Sequence, residues 1–195
     1  IAAALWSSGH TELIEKEFIA FHVSGGTTDV LHVKPDNDKI FSVDMCASSL
    51  DLKAGQAVDR VGVMLGLGFP AGAELDKLSL KSEKEYKIKP FMRDGSCSFS
   101  GVENKCSQML RNGEKPEDIA KYCISYIYAA IKAMTESAVA QFGDLPVIYA
   151  GGVMSNTYIK KRITSEFSGH FADPYYSSDN ACGVAYLTYL KENSK

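Results

Sequence analysis

The stretch E-F-I-A-F-H-V-S-G-G-T-T-D-V, residues 17–30, decides the predicted fold. Its first half, Glu17 to Ser24, is rich in Phe, Ile and Val, which favours a partly buried β-strand. Two glycines then permit a turn, because glycine adopts positive φ at low cost, and Asp29 to Val33 returns as a second strand. After turn residues at 35–38, Lys39 to Met45 forms a third. The sequence therefore predicts an antiparallel meander.

Helices follow the meander, and a β-α-β-α pattern closes the chain. Apolar residues recur every three or four positions, as in helices, over 49–67, 72–80, 100–110, 116–142 and 157–167. A short apolar strand at 145–150 precedes a glycine turn, and a last helix begins near Asp179 and ends near Lys191. This order predicts an α/β fold with one mixed β-sheet covered by helices.

Composition limits the possible functions. The chain has 195 residues with 45% hydrophobic residues and a net charge of −3. These are values of a globular protein, and they disfavour a primary nucleic-acid binder, because phosphate binding relies on Lys and Arg. Five cysteines without a C-x-x-C pair indicate reduced thiols and a cytoplasmic location. No apolar run is long enough for a membrane span. Residue 1 is Ile, and a helix already under way there suggests part of a longer protein.

The first glycine turn is a candidate phosphate site. A strand that turns on Gly25 and Gly26 exposes backbone N–H groups, and such concave clusters bind phosphate oxygens. Ser24, Thr27 and Thr28 place hydroxyl groups beside them. The alternative is an ordinary hairpin turn, which the spacing alone does not exclude.

A second glycine turn leads from a strand into a helix. Gly151 and Gly152 allow a ligand to approach the backbone closely, and the helix N-terminus that follows favours negative charge. Asn156 could contact a ribose or a base edge. The alternative is a tight connection in which Ser155 or Asn156 caps the helix.

Acidic residues on helices complete the candidate set. Asp59 stands among apolar residues of one helix, Asp76 lies on the next, and Asp179 opens the last. Two of them could instead have a structural role: Asp59 could form a salt bridge near Arg60, and Asp179 could be the N-cap of its helix. The four histidines have no metal-ligand spacing, and no nucleophile elbow or P-loop is present.

Six ordered motifs together resemble one family. They are V-S-G-G-T-T-D-V (23–30), A-G-Q-A-V-D-R (54–60), L-G-L-G-F-P-A-G (65–72), S-F-S-G-V-E-N-K (98–105), I-Y-A-G-G-V-M-S-N (148–156) and S-S-D-N-A-C-G-V-A-Y (177–186). The series resembles the TsaD family of tRNA threonylcarbamoyladenosine-forming proteins, whose archaeal and eukaryotic relatives belong to the KEOPS complex. These proteins were formerly described as O-sialoglycoprotein endopeptidases or glycoproteases, an activity for which the chain offers no nucleophile–base pair.

The resemblance implies an actin/Hsp70-like (ASKHA, ribonuclease H-like) fold of two lobes. Residues 1–16 would then end the first lobe or its linker. Residues 17–195 would form the C-terminal lobe, with a helical insertion at about 70–115. The resemblance also implies a TsaB-like or other paralogous partner in a homo- or heterodimer, tRNA contact only with partner subunits, and no membrane association.

The family transfers threonylcarbamoyl from an adenylate to adenosine in tRNA. The resemblance implies that this chain binds an adenine nucleotide or the carbamoyl-adenylate through the following residues: Ser24, Gly25, Gly26, Thr27, Asp59, Gly72, Asp76, Gly151, Gly152 and Asn156. It assigns Asp179 to a divalent metal, iron or zinc. The two partner histidines would lie upstream of Ile1, so the 195 residues alone are expected to be inactive and not to hold the metal.

The chain departs from the family pattern at several motif positions. Thr27 replaces the histidine of the family's G-G-H-T, and Gln56 replaces the acid of A-G-E-A. In the family's P-G-G-P, Ala71 replaces the first glycine and Ala73 replaces the last proline. These changes indicate a divergent paralogue. Two alternatives stay open: a paralogue without transferase activity that binds a nucleotide or dimerises, and an Hsp70-like ATPase using Thr27 and Thr28.

Overall fold

The computed structural model describes residues 1–176 and 181–193. Its helices are α1 (Ala2–Ser8), α2 (Ala54–Met64), α3 (Gly72–Ser79), α4 (Ser100–Arg111), α5 (Pro116–Phe142), α6 (Thr157–Glu166) and α7 (Ala181–Asn193). Its strands are β1 (Phe18–Val23), β2 (Thr28–Asp36), β3 (Ile40–Ser48), β4 (Met92–Arg93), β5 (Ser96–Cys97), β6 (Val147–Ala150) and β7 (Gly169–Phe171). Short 3₁₀ turns occupy Thr11–Glu15, Gly152–Ser155 and Pro174–Tyr176.

The main sheet has five strands in the order β3-β2-β1-β6-β7. The β1–β2 and β2–β3 pairs are antiparallel, whereas β6 runs parallel to both β1 and β7. The predicted meander and mixed sheet are therefore confirmed. Because β1 and β6 are parallel neighbours, the turns that follow them lie at the same edge of the sheet.

Both faces of the sheet are covered by helices. Alternate residues of β1 point to opposite faces, as the two-residue period of a strand requires. Ile19 and Phe21 join the larger hydrophobic core with α2, α4, α5 and α6, whereas Phe18 and Ala20 pack with Leu5 of α1 in a smaller one. The sheet is thus the middle of three layers.

The helix predictions hold best where apolar periodicity is long. The boundaries of α5 match the prediction, since Pro116 at the first turn and Gly143 after the last residue mark its ends. The predicted helix at 49–67 is too long, because it forms only over Ala54–Met64. Asp51 instead accepts the N–H of Leu52 at 2.6 Å, which holds the preceding residues in a loop.

The strands β4 and β5 form a separate hairpin, which sequence reasoning missed. The strand β7 after α6 is the second strand of the predicted β-α-β-α tail, although its bounds were not predicted. Each has only two or three residues, so its apolar pattern is too short to distinguish from a loop. The boundary at residue 16 and the insertion at about 70–115 stay predictions.

Two features bear on the expectations from composition: the state of the cysteines and the length and polarity of the helices. All five cysteines are free thiols, with Cys97, Cys106 and Cys123 buried. Over residues 1–176 and 181–193, every helix is too short or too polar to cross a bilayer.

A carboxylate from another segment caps α4. The helix has no capping side chain of its own. Asp51 accepts the N–H groups of Phe99 at 2.8 Å and Ser100 at 3.3 Å, together with the Ser98 hydroxyl. Partial burial would raise the pKa of Asp51, but hydrogen bonds from Ser100, Ser98 and Phe99 outweigh it and lower this pKa to about 2.

We expect Asp51→Asn to lower the free energy of unfolding by about 1 kcal/mol at neutral pH, a cap-sized loss reduced by solvent screening. Because the folded pKa lies below the ordinary 3.8, the carboxylate stabilises the fold fully above that pH and loses its effect as pH falls toward 2. Urea unfolding at several pH values should therefore show the difference from wild type shrinking in acid. Asp38→Asn, at an exposed turn, is the control, and a pH-independent difference would contradict this account.

Candidate functional site

A cavity of about 500 Å³ lies where the β1–β2 hairpin, α2, α3 and the β6–α6 turn meet. Six of the residues selected from the sequence line it: Gly25, Asp59, Gly72, Asp76, Gly152 and Asn156. Gly55, Lys77 and apolar side chains from α2, α5 and α6 line it too. Residues far apart in the chain therefore converge on one concave site.

The Ser24 side chain closes the turn between β1 and β2. Its Oγ accepts the N–H groups of Gly26 and Thr27, both at 3.2 Å, and lies 2.8 Å from the Thr27 hydroxyl. Only the Gly25 N–H of the turn is without a hydrogen bond within the described residues. The expectation of several exposed N–H groups here is wrong, because Ser24 binds two of them.

Neither Gly25 nor Gly26 adopts positive φ, contrary to the expectation for this turn. The need for glycine arises on the facing helix. A Cβ on Gly55 would lie 2.6 Å from the Gly25 nitrogen, so only glycine lets α2 approach the hairpin. Sequence reasoning missed Gly55, although the motif A-G-Q-A contains it.

Two hydrogen bonds hold α2 against the hairpin. The buried Thr28 hydroxyl accepts the Ala54 N–H at 2.9 Å and donates to the Thr27 carbonyl at 2.7 Å. The Ser24 carbonyl accepts the Gly55 N–H at 3.1 Å. Thr28 therefore caps α2 and is not a donor to a ligand, as the ATPase alternative would require.

The β6–α6 turn supplies further free N–H groups. Gly151 has φ of 99°, and a Cβ there would lie 2.3 Å from the Val23 carbonyl oxygen, so glycine is required at this position. The N–H groups of Gly152 and Val153, which line the cavity, have no hydrogen bond within the described residues. These groups can bind an anion next to the start of α6.

Asn156 caps α6 and also lines the cavity. Its Oδ1 accepts the Ile159 N–H at 3.0 Å, so the N-cap alternative is correct as far as this oxygen is concerned. Its Nδ2 makes no hydrogen bond within the part of the chain that the structure describes. One side chain can therefore cap the helix and donate to a ligand.

Asp59 anchors the loop that leads into α3. Its Oδ1 accepts the Ala71 N–H at 2.8 Å. The salt-bridge alternative is wrong within the described residues, because the guanidinium of Arg60 pairs with Glu103 at 2.9 Å and Asp59 has no ion pair. The second oxygen of Asp59 is left for other partners at the cavity wall.

Asp76 ties α3 to α6. Its Oδ2 accepts the Thr157 N–H at 2.9 Å, whereas its Oδ1 is buried and has no partner within the described residues. A buried, unpaired carboxylate oxygen is costly, so a hydroxyl or amine donor from a ligand would stabilise it. The Gly72 and Ala73 N–H groups in the first turn of α3 are also free within the described residues.

The cavity thus offers three kinds of contact. Backbone N–H groups of Gly25, Gly152 and Val153 suit an anion, and the carboxylates of Asp59 and Asp76 suit hydroxyl donors. Apolar side chains suit a flat ring, namely Val58, Ile124, Val153 and Ile159. Lys77 lies at the exposed rim without an ion pair among the described residues, and nothing in the sequence pattern distinguished it.

Asp179, the expected metal ligand, lies outside the described residues. Within residues 1–176 and 181–193, no group of three His, Cys, Asp or Glu side chains could hold a metal ion. The described residues therefore do not supply a metal site, and the metal stays a prediction.

Two glycines of the site should respond differently to substitution. Gly55→Ala forces a Cβ against the backbone of Gly25, so we expect a loss of roughly 1–3 kcal/mol in unfolding free energy, in the range of overpacking. Gly26→Ala is the control, because its Cβ meets nothing within 4 Å. Thermal and urea unfolding measure both, and equal losses would contradict the close packing described here.

Comparison with known proteins identifies the family. The family model described as "TsaD: tRNA N6-adenosine threonylcarbamoyltransferase" matches residues 3–186. A tRNA N6-adenosine threonylcarbamoyltransferase from Sulfurihydrogenibium sp. (strain YO3AOP1) is 31% identical over 203 residues, covering 100% of this chain and 59% of that protein. One from Thermococcus kodakarensis is 33% identical over 177 residues, covering 88% and 53%. The chain therefore spans about half to three fifths of their length.

Solved structures agree on the fold. Full-length HypF, in a phosphate- and nucleotide-bound form, matches 99% of this chain and 42% of its own with a TM-score of 0.74 and 14% identity. Component A of the Acidaminococcus fermentans (R)-2-hydroxyglutaryl-CoA dehydratase matches 100% of this chain and 68% of its own with a TM-score of 0.60 and 16% identity. These likenesses confirm the actin/Hsp70-like fold class. The family-model match over residues 3–186 establishes that the chain belongs to the TsaD family.

Proposed function

We propose that this chain is the nucleotide-binding part of a TsaD-type transferase, which moves a threonylcarbamoyl group from an adenylate to the N6 amine of an adenosine in tRNA. The observation that carries the proposal is the cavity, where free backbone N–H groups and two carboxylates face apolar walls. An adenylate has the matching parts: a phosphate, a ribose with hydroxyl donors and a flat base.

The proposed binding mode follows the chemistry of the lining. The phosphate accepts hydrogen bonds from the N–H groups of Gly25, Gly152 and Val153, which border the same cavity. The ribose hydroxyls donate to Asp59 and to the unpaired Oδ1 of Asp76.

The transfer step needs a stabilised leaving group. The tRNA amine attacks the carbamoyl carbon, a C–N bond forms, and the C–O bond to the phosphate breaks with its electron pair on AMP. The amine proton leaves to solvent or to the departing phosphate. Fixed N–H donors at Gly25, Gly152 and Val153 stabilise the charge that develops on this phosphate.

Gln56, which replaces the acid of the family motif, still supports the local structure of α2. Its Oε1 accepts the Lys53 N–H at 3.1 Å, so the carboxamide supports the first turn of α2 as an acid would. Loss of the acid therefore leaves the helix that carries Asp59 in place.

Partners complete the proposal. Since the chain spans about half to three fifths of its relatives, the other wall of the cleft would come from residues outside it. We propose a TsaB-like or other paralogous subunit as partner. With a net charge of −3, tRNA binding would rely on such partners for positive charge.

Asn156 allows its two roles to be separated. Asn156→Asp keeps an oxygen for the Ile159 N–H but removes the Nδ2 donor and adds a negative charge to the cavity wall, so we expect normal stability and an affinity for AMP weakened at least several-fold. Asn156→Ala should lose both stability and affinity. Isothermal titration with AMP and urea unfolding provide the two readouts.

Asp59→Asn extends the test to the ribose contact, because its amide oxygen can still accept the Ala71 N–H. Asp38→Asn, outside the cavity, is the control. Unchanged AMP affinity in Asn156→Asp, Asn156→Ala and Asp59→Asn would remove the proposed pocket.

In cells, rescue of a strain depleted of the tRNA modification by the intact protein would exclude the non-transferase paralogue. Turnover of ATP with Mg²⁺ would instead favour the Hsp70-like ATPase.

A further inference from the structure

A second cavity, of about 690 Å³, lies between α5 and the extended segment before β4. We call it the α5 groove. One wall is the segment Tyr86–Pro90 with Met92, and the other is one face of α5 with Ser125, Tyr128, Ala129, Lys132, Ala133 and Glu136. Among the described residues, it shares no lining residue with the candidate nucleotide site.

The floor of the groove contains an unsatisfied hydroxyl. Ser125 is 2% exposed, and its Oγ has no hydrogen-bond partner within the described residues. Ala129 and Ala133 follow one and two turns along α5, so small side chains leave open space beside it. Buried hydroxyl groups are normally paired, and an unpaired one is costly. The floor of the groove therefore contains a hydrogen-bonding group that a ligand reaching this depth would satisfy.

The other wall has the character of an unpaired strand edge. Tyr86, Ile88 and Pro90 are half-buried, whereas Lys87 and Lys89 between them are exposed, which is the alternation of an extended strand. The backbone groups of Lys87, Ile88 and Lys89 make no hydrogen bond within the described residues. Such an edge can pair with another extended chain.

The two ends of this segment are fixed. The Tyr86 hydroxyl donates to the Asp118 carbonyl at 3.2 Å, and the Phe91 N–H donates to the Tyr126 hydroxyl at 3.4 Å. The edge is therefore held in place over α5, which reduces the ordering cost of pairing with a partner.

Charge indicates the kind of partner. Lys87 and Lys89 have no ion pair within the described residues, whereas nearby lysines are engaged with acids: Lys84 with Asp118 at 2.9 Å and Lys121 with Glu85 at 3.5 Å. Two exposed, unpaired ammonium groups along one edge favour acidic side chains on the opposing chain.

We propose that the α5 groove binds an extended acidic segment of a partner protein. The segment adds a strand along Lys87–Lys89, its acidic side chains pair with the two lysines, and its intervening small side chains enter the groove above Ser125. A nucleic acid fits less well, because the walls are mainly apolar and Glu136 lies among them. The inference goes beyond the proposed function and does not depend on it.

The test uses the whole chain and a fluorescent peptide pool in which glutamate alternates with Val, Ala, Ser or Tyr. We expect binding at about micromolar affinity, and the same pool with lysine in place of glutamate should not bind. Lys87→Glu with Lys89→Glu should weaken binding by about tenfold or more, equivalent to about 1.4 kcal/mol. The charge-matched control is Lys39→Glu with Lys161→Glu, at exposed positions outside the groove.

Hydrogen exchange distinguishes strand addition from a purely electrostatic contact. Bound peptide should slow amide exchange at residues 87–89, and Ala129→Leu, which fills the groove, should abolish both binding and this protection. The proposal is overturned if the glutamate pool does not bind, if the control reversal weakens it equally, or if binding leaves these amides unprotected. It is also overturned if the Lys87 and Lys89 reversal reduces binding of an unmodified tRNA but not of the peptide pool.

Discussion

Close backbone packing at two glycines is the constraint on which the site depends. Gly55 brings α2 against the hairpin at Gly25, and Gly151 brings the β6–α6 turn against the carbonyl of Val23. In both places a single Cβ would overlap backbone atoms, which cannot move aside as a flexible side chain can. These two contacts bring the ends of the parallel strands β1 and β6 close to two helices, and the cavity is the space left between them.

This packing also arranges the polar groups of the cavity. Most backbone N–H groups near the hairpin are already satisfied, by Ser24 Oγ, Ser24 O and Thr28 Oγ1. Those without a hydrogen bond in the described part of the chain, at Gly25, Gly152 and Val153, belong to residues that line the cavity. Asp59 and Asp76 each use one oxygen to fix a neighbouring loop or helix, and the other oxygen has no partner within the described residues. Asp59, Asp76 and Asn156 thus both build the site and line the cavity.

Much of this arrangement could be predicted from sequence, because the relevant signals are local. Long apolar periodicity placed α5, glycine pairs placed the two turns, and the order of motifs selected six residues that share one cavity. Other features are set by contacts between distant segments. Tertiary packing decides that Thr28 caps α2 and does not serve a ligand. It also decides which glycine of the hairpin region is sterically required, and it brings Asp51 to the start of α4 as a cap. The unpaired Ser125 hydroxyl likewise has no signature in the sequence.

The proposed phosphate site consists of backbone amides at two glycine turns. The most direct measurement is an NMR titration of the ¹⁵N-labelled chain with AMP and, in parallel, with adenosine, which lacks the phosphate. The account predicts that AMP shifts the amide resonances of Gly25, Gly152 and Val153, whereas adenosine leaves these three unchanged while perturbing residues of the apolar wall. Equal shifts with both ligands, or AMP-induced shifts confined to other parts of the chain, would contradict it.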